Sequence, residues 1–236
     1  MSSSVSDTRP GALGRGVAFG LAIGIAAGVS GALLGYAWSV YSGADMGMWV
    51  LARASGLVSY VLLTAVTVMG LLLARPPRRA IRILGQAQRL RLHVVLTIFA
   101  LVFTVLHVVV LALDPWAQVG WAGALLPFGS EYRPLPVTLG LLALWSGVIS
   151  GATASLAGRG LGRIWLPLHR LAAASWVLAW LHGVLAGSDT GTWLWMYVLT
   201  GLLVVVLVVR RVTAADVNEG LRDLADRRMP REDVLA

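Results

Sequence analysis

Six runs of about 20 apolar residues, separated by short segments that collect the arginines, leave this chain few ways to fold. A hydrocarbon layer about 30 Å thick is crossed by a helix of about 20 residues. Inside that layer each backbone N–H and C=O needs a partner, and an α-helix supplies them all within one segment. The runs cover 16–40, 49–74, 93–113, 137–157, 168–186 and 192–209. None alternates as a membrane barrel strand would. The expectation is an all-α, integral membrane six-helix bundle spanning 13–211, with a flexible Ser-rich leader at 1–12 and a tail at 212–236. The first run is long for a signal peptide, so it reads as a retained helix. In the tail, Val217, Leu221 and Leu224 share one face of a short helix.

The net charge of +8 comes entirely from arginine, since the chain has no lysine. Six arginines lie in 75–91 and three in 159–170, whereas the loops between the other span ends hold only Arg133. The positive-inside rule then puts both termini in the cytoplasm and makes the protein multi-pass in the cell membrane. It also accounts for the charge without nucleic acid, for which no single basic face is available. Trp116, Trp121, Phe128 and Tyr132, in the segment 114–136, suit an outer membrane–water interface. The absence of cysteine excludes disulfides, thiolate metal sites and covalently attached haem.

All four histidines fall in the third and fifth runs. An ionisable residue inside a membrane span is a functional candidate by default. His93 and His107 are fourteen residues apart, about 21 Å along a helix and within about 40° of one face. His169 and His182 are thirteen apart, about 20 Å. Both helices run outward, so His93 and His169 share the inner depth and His107 and His182 the outer. Thirteen residues turn an ideal helix about 140° from its starting face, so the fifth helix is expected to be tilted or distorted, or its ligands approached from different angles. Pro167 stands just before it.

A lone histidine at a helix end is ordinarily an interfacial residue. Four of them, matched in depth with none left over, point to ligation instead. Pairs about 20 Å apart are too distant to share one ion, and zinc takes three or four protein ligands. Haem iron needs only two axial ligands, so each pair fits one bis-histidine haem b. Arg53, at the outer start of the second run, is placed either to meet a haem propionate or to snorkel to the headgroups. Arg133 with Tyr132 is a second candidate for that contact. Gly56, Gly147, Gly151 and Gly183 make room for flat macrocycles or, more simply, let helices pack closely. The spans contain no Asp or Glu, which disfavours a proton relay or cation transporter. The alternative is a haem-free transporter or assembly subunit on the same scaffold.

His-x13-His in the third run and His-x12-His in the fifth, with Ala52-Arg53-Ala54-Ser55-Gly56-Leu57-Val58-Ser59-Tyr60, Leu168-His169-Arg170-Leu171 and Leu181-His182-Gly183, resemble the ferric reductase-like transmembrane domain. That superfamily includes ferric reductases, NADPH oxidases and the haem-binding membrane subunit of methionine sulfoxide reductase systems. The resemblance covers about 49–209. It implies an inner haem on His93 and His169, an outer haem on His107 and His182, and Arg53 near the haems. The large members' flavin and nicotinamide domain has no counterpart after the sixth run. The resemblance therefore implies a stand-alone bacterial member. It would take electrons from a separate flavoprotein or from quinol, and pass them to an extracytoplasmic protein or ferric iron.

Overall fold

The computed structural model describes Gly31, Gly35, Trp38 and residues 47–74, 86–156 and 164–228. Apolar runs become helices there: α1 (Gly47–Ala74), α2 (Gln86–Leu113), α3 (Gly120–Leu125), α4 (Pro134–Ser155), α5 (Trp165–His169), α6 (Leu171–Ala186) and α7 (Thr190–Arg228). A 3₁₀ turn at Pro115–Ala117 lies between α2 and α3, and there is no strand among the described residues. In α1, α2, α4 and α7 a stretch of 22 to 27 residues is long and apolar enough to cross a membrane. Their outward side chains are apolar too, including Leu101 and Val105 on α2 and Leu202, Val205 and Val206 on α7. A helix hydrophobic on its exposed side has lipid as its solvent, which makes this an all-α, multi-pass membrane protein.

The leader 1–12, nearly all of the first run 16–40, the segment 75–85, residues 157–163 and the last residues 229–236 lie outside the described residues. Apart from α3, which lies in the segment 114–136 between runs, the described helices correspond to the second through sixth runs. The fifth run carries a distortion of the kind its thirteen-residue spacing called for: α5 ends at His169, Arg170 forms a turn, and α6 has 16 residues. The cause is a local tightening. The Arg170 N–H bonds back to the Leu166 and Pro167 carbonyls, and the Ala173 N–H takes the Arg170 carbonyl three residues back. Residues 217–224 of the tail are helical as expected, but as part of α7, which continues unbroken from the sixth run to Arg228.

Two helix hairpins organise the bundle. α1 packs along α2, and α4 packs along α6, while α1 also touches α6 and α7. Hydrogen bonds between side chains or to carbonyls cross these interfaces. Ser59 meets Thr104 between α1 and α2, and Tyr60 meets Thr200 between α1 and α7. Trp176 Nε1 donates to Thr64 Oγ1 at 3.0 Å, and Ser175 Oγ to the Ala143 carbonyl at 2.8 Å. In lipid, where apolar burial gives helices no preference for each other, such bonds average about 0.6 kcal/mol each and fix which faces meet.

The loop from α2 to α4 is built rather than slack. Buried Asp114 caps the 3₁₀ turn by accepting the Trp116 N–H at 3.0 Å. Thr138 Oγ1 accepts the Phe128 N–H at 2.8 Å. The loop then ties down the end of α6, because Tyr132 donates to the Ala186 carbonyl at 2.8 Å and Arg133 Nη1 to the Leu185 carbonyl at 2.6 Å. The last carbonyls of a helix lack intrahelical partners and attract cations, so this remote pair serves as its C-terminal cap. Tyr132→Phe is expected to lower stability by about 1 kcal/mol, the usual worth of one such bond. A fall in the thermal midpoint of the protein in detergent measures it; an unchanged midpoint would mean that the cap contributes nothing.

Candidate functional site

The four histidines meet in two pairs. The rings of His93 and His169 have centres 6.3 Å apart, inclined at 76°. Those of His107 and His182 are 6.4 Å apart, inclined at 75°. The two pairs are separated along α2 by fourteen residues, about 21 Å of helix. α2 and α6 do not close-pack on one another; each lies against its own hairpin partner. The imidazoles reach across the space between α2 on one side and α5 and α6 on the other.

His107 and His182 are held by the same device. His107 Nδ1 lies 2.7 Å from the Ala52 carbonyl on α1, and His182 Nδ1 lies 2.7 Å from the Pro136 carbonyl on α4. Four residues further along those helices stand Gly56 and Gly140. A helical carbonyl points toward residue n+4, so a side chain there would cover it. A Cβ on Gly56 would lie 2.8 Å from His107 Cε1, and one on Gly140 2.7 Å from His182 Nδ1. Glycine at n+4 lets the imidazole sit on the carbonyl of residue n. A carbonyl can only accept, so Nδ1 carries the proton and Nε2 keeps the lone pair. This fixes both rings as neutral Nε2 ligands, in the way that metal-bound histidines are commonly oriented.

At the arginine-rich end the same plan is looser. His93 faces Gly70, where a Cβ would lie 3.3 Å from Cε1. Its ring interacts with the Val66 carbonyl, four residues before Gly70, but its buried Nδ1 does not reach hydrogen-bond geometry. His169 Nδ1 meets Ser150 of α4, with Oγ at 3.2 Å and the carbonyl at 3.4 Å. Thus Ala52 and Val66 on α1 repeat the fourteen-residue interval of His107 and His93 on α2. Pro136 and Ser150 repeat it on α4.

Arg53 is engaged elsewhere at the loop end. It forms an ion pair with Asp189, bonds Ser188 Oγ, and lies 3.7 Å above the centre of the Trp49 ring. These contacts tie the start of α1 to the α6–α7 loop, one residue from the Ala52 carbonyl that holds His107. Arg133, as described, caps α6. Among the glycines singled out in the sequence, Gly56 seats a histidine, whereas Gly183 admits Tyr197 and Gly147 faces Ser175. A Cβ on Gly151 would meet nothing within 4 Å. Gly70, Gly140 and Ser150 escaped the sequence reading. The available signal was the Gly-x13-Gly of Gly56 and Gly70, which has the same interval as the His93 and His107 it faces.

Fold and site together define an all-helical membrane protein with two imidazole pairs at two depths, three of the four rings braced by a neighbouring helix through Nδ1. No protein-family model, curated protein or solved structure matches the chain.

Proposed function

We propose that this protein carries electrons across a membrane on two b-type haems, one at each histidine pair. The observation that carries the reading is the near-identical spacing of the two pairs. Imidazoles bonded at about 2 Å to opposite faces of one metal ion hold their ring centres about 6 Å apart. Among the described residues no group of three or more His, Cys, Asp or Glu is placed to hold a metal ion. A pair alone is too few ligands for zinc, and it is the number haem iron takes.

A haem bound at each pair would supply one-electron chemistry, and two at different depths would form a path across the bilayer. The chain's part is to hold Nε2 of three of the rings ready, those of His107, His182 and His169, through Ala52, Pro136 and Ser150. Gly56, Gly70 and Gly140 leave the rings room. Arg53, ion-paired with Asp189, anchors the start of α1 one residue from the Ala52 carbonyl that holds His107. With the arginine-rich segments inside, the His93–His169 pair faces a cytoplasmic flavoprotein or quinol donor. The His107–His182 pair then faces an extracytoplasmic acceptor, a protein or ferric iron. The resemblance to the ferric reductase-like domain supports the same reading.

The reduced-minus-oxidised absorption spectrum of protein purified after haem-replete expression tests it. A b-type signal at two haems per chain is expected. Protein that is folded and free of haem would overturn the proposal and favour the transporter or assembly-subunit reading.

A further inference from the structure

Thirteen residues separate His169 from His182, yet the residues of α4 that hold them, Ser150 and Pro136, are fourteen apart. On straight antiparallel helices one ring would miss its seat by about 1.5 Å along the axis and about 100° around it. The turn at Arg170 takes up part of that difference, since each 3₁₀ step gains about 0.5 Å and about 20° over an α-helical one. There the Ala173 N–H bonds three residues back rather than four. A 3₁₀ step rises about 2.0 Å and turns about 120°, more than an α-helical step in both respects.

The tightening has a cost, because the Ala173 N–H no longer serves the His169 carbonyl. Ser150 Oγ takes that carbonyl at 3.0 Å. The same oxygen is 3.2 Å from His169 Nδ1. A hydroxyl has one hydrogen, and here it goes to the carbonyl, so Oγ receives the Nδ1 proton through its lone pair. Ser150 is 2% exposed, so water does not compete for either bond.

We propose that Ser150 is the positioning residue of the His93–His169 pair: its hydroxyl closes the helix break at Arg170 and sets His169 as an Nε2 ligand. This deepens the haem reading and rests on it for its consequence. The ring tautomer, however, belongs to the chain with or without haem.

Nitrogen-15 NMR of histidine-labelled full-length protein in detergent, prepared haem-free, reads the tautomer directly. His169 is expected as Nδ1–H in the parent and with an increased share of Nε2–H in Ser150→Ala, where only the backbone carbonyl of residue 150, at 3.4 Å, still faces Nδ1. Ser175→Ala removes an equally buried hydroxyl from α6 and is expected to leave His169 unchanged. An unchanged tautomer in Ser150→Ala overturns the proposal, as does a shift of equal size in Ser175→Ala. If Ser150→Ala does not fold, the parent still decides, since His169 protonated on Nε2 is incompatible with the proposal. In haem-loaded protein, loss of the Nδ1–H bond makes His169 a weaker donor. The midpoint potential of one haem is then expected to rise while the other stays put. Movement of both or neither overturns it. A parent that binds no haem sinks the haem reading alone, and the NMR result then stands by itself.

Discussion

His107→Ala is expected to leave one haem per chain in place of two, and His182→Ala to remove that same haem. Their rings face each other at 6.4 Å, and each is held by a different hairpin, so either loss would leave the proposed haem one imidazole at that site. His93→Ala and His169→Ala are expected to remove the other haem. The pairs lie about 21 Å apart along α2, so emptying one leaves the other's ligands in place. The fold should survive, because the Ala52 and Pro136 carbonyls keep their helical partners when the imidazole is gone. The stability lost with each Nδ1–H bond is about 1 kcal/mol. Haem content per protein, together with a potentiometric titration of the remaining haem, makes the check. If every single variant lost both haems while still folded, or if His107→Ala and His182→Ala retained different haems, the pairing would be wrong.

Alanine at the glycine seats is expected to produce a graded series. At Gly140 and Gly56 the added Cβ would meet the imidazole at 2.7 and 2.8 Å. The ring cannot yield without giving up its 2.7 Å bond to the carbonyl beside it. Overpacking of this kind costs about 1–3 kcal/mol. That outweighs the helix-propensity gain of alanine over glycine, about 1 kcal/mol. Gly140→Ala and Gly56→Ala should therefore lower the thermal midpoint and lose or weaken the haem at the His107–His182 pair. Gly70→Ala, with its contact at 3.3 Å, should have a smaller effect on the other pair. Gly151→Ala meets nothing within 4 Å and should be neutral or slightly stabilising. Equal behaviour across the four variants would show that the glycines serve general helix packing and not the imidazoles.

The series also marks how far the sequence could be read. Gly56 and Gly151 look alike there, as small residues in apolar helices, and packing was the simpler account of both. The structure separates them, because one faces an imidazole and the other open space. Arg53 shows the same limit. Its place at the end of a span was legible, but its partner Asp189 lies 136 residues away, in a loop whose approach depends on how α1, α6 and α7 pack.

Apolar runs of this length, without strand-like alternation, by themselves determined that this chain is helical and meets lipid, because only helices and closed barrels satisfy the backbone there and barrel strands alternate. Residue spacing alone put the histidines into two depth classes, since rise per residue is a property of any α-helix. Rotation about the helix axis is another matter. Thirteen residues on one helix facing fourteen on its neighbour leave a discrepancy that no single helix can resolve. Only the tertiary structure decided it, with a turn at Arg170 and a serine on the adjacent helix, because register is a relation between two helices.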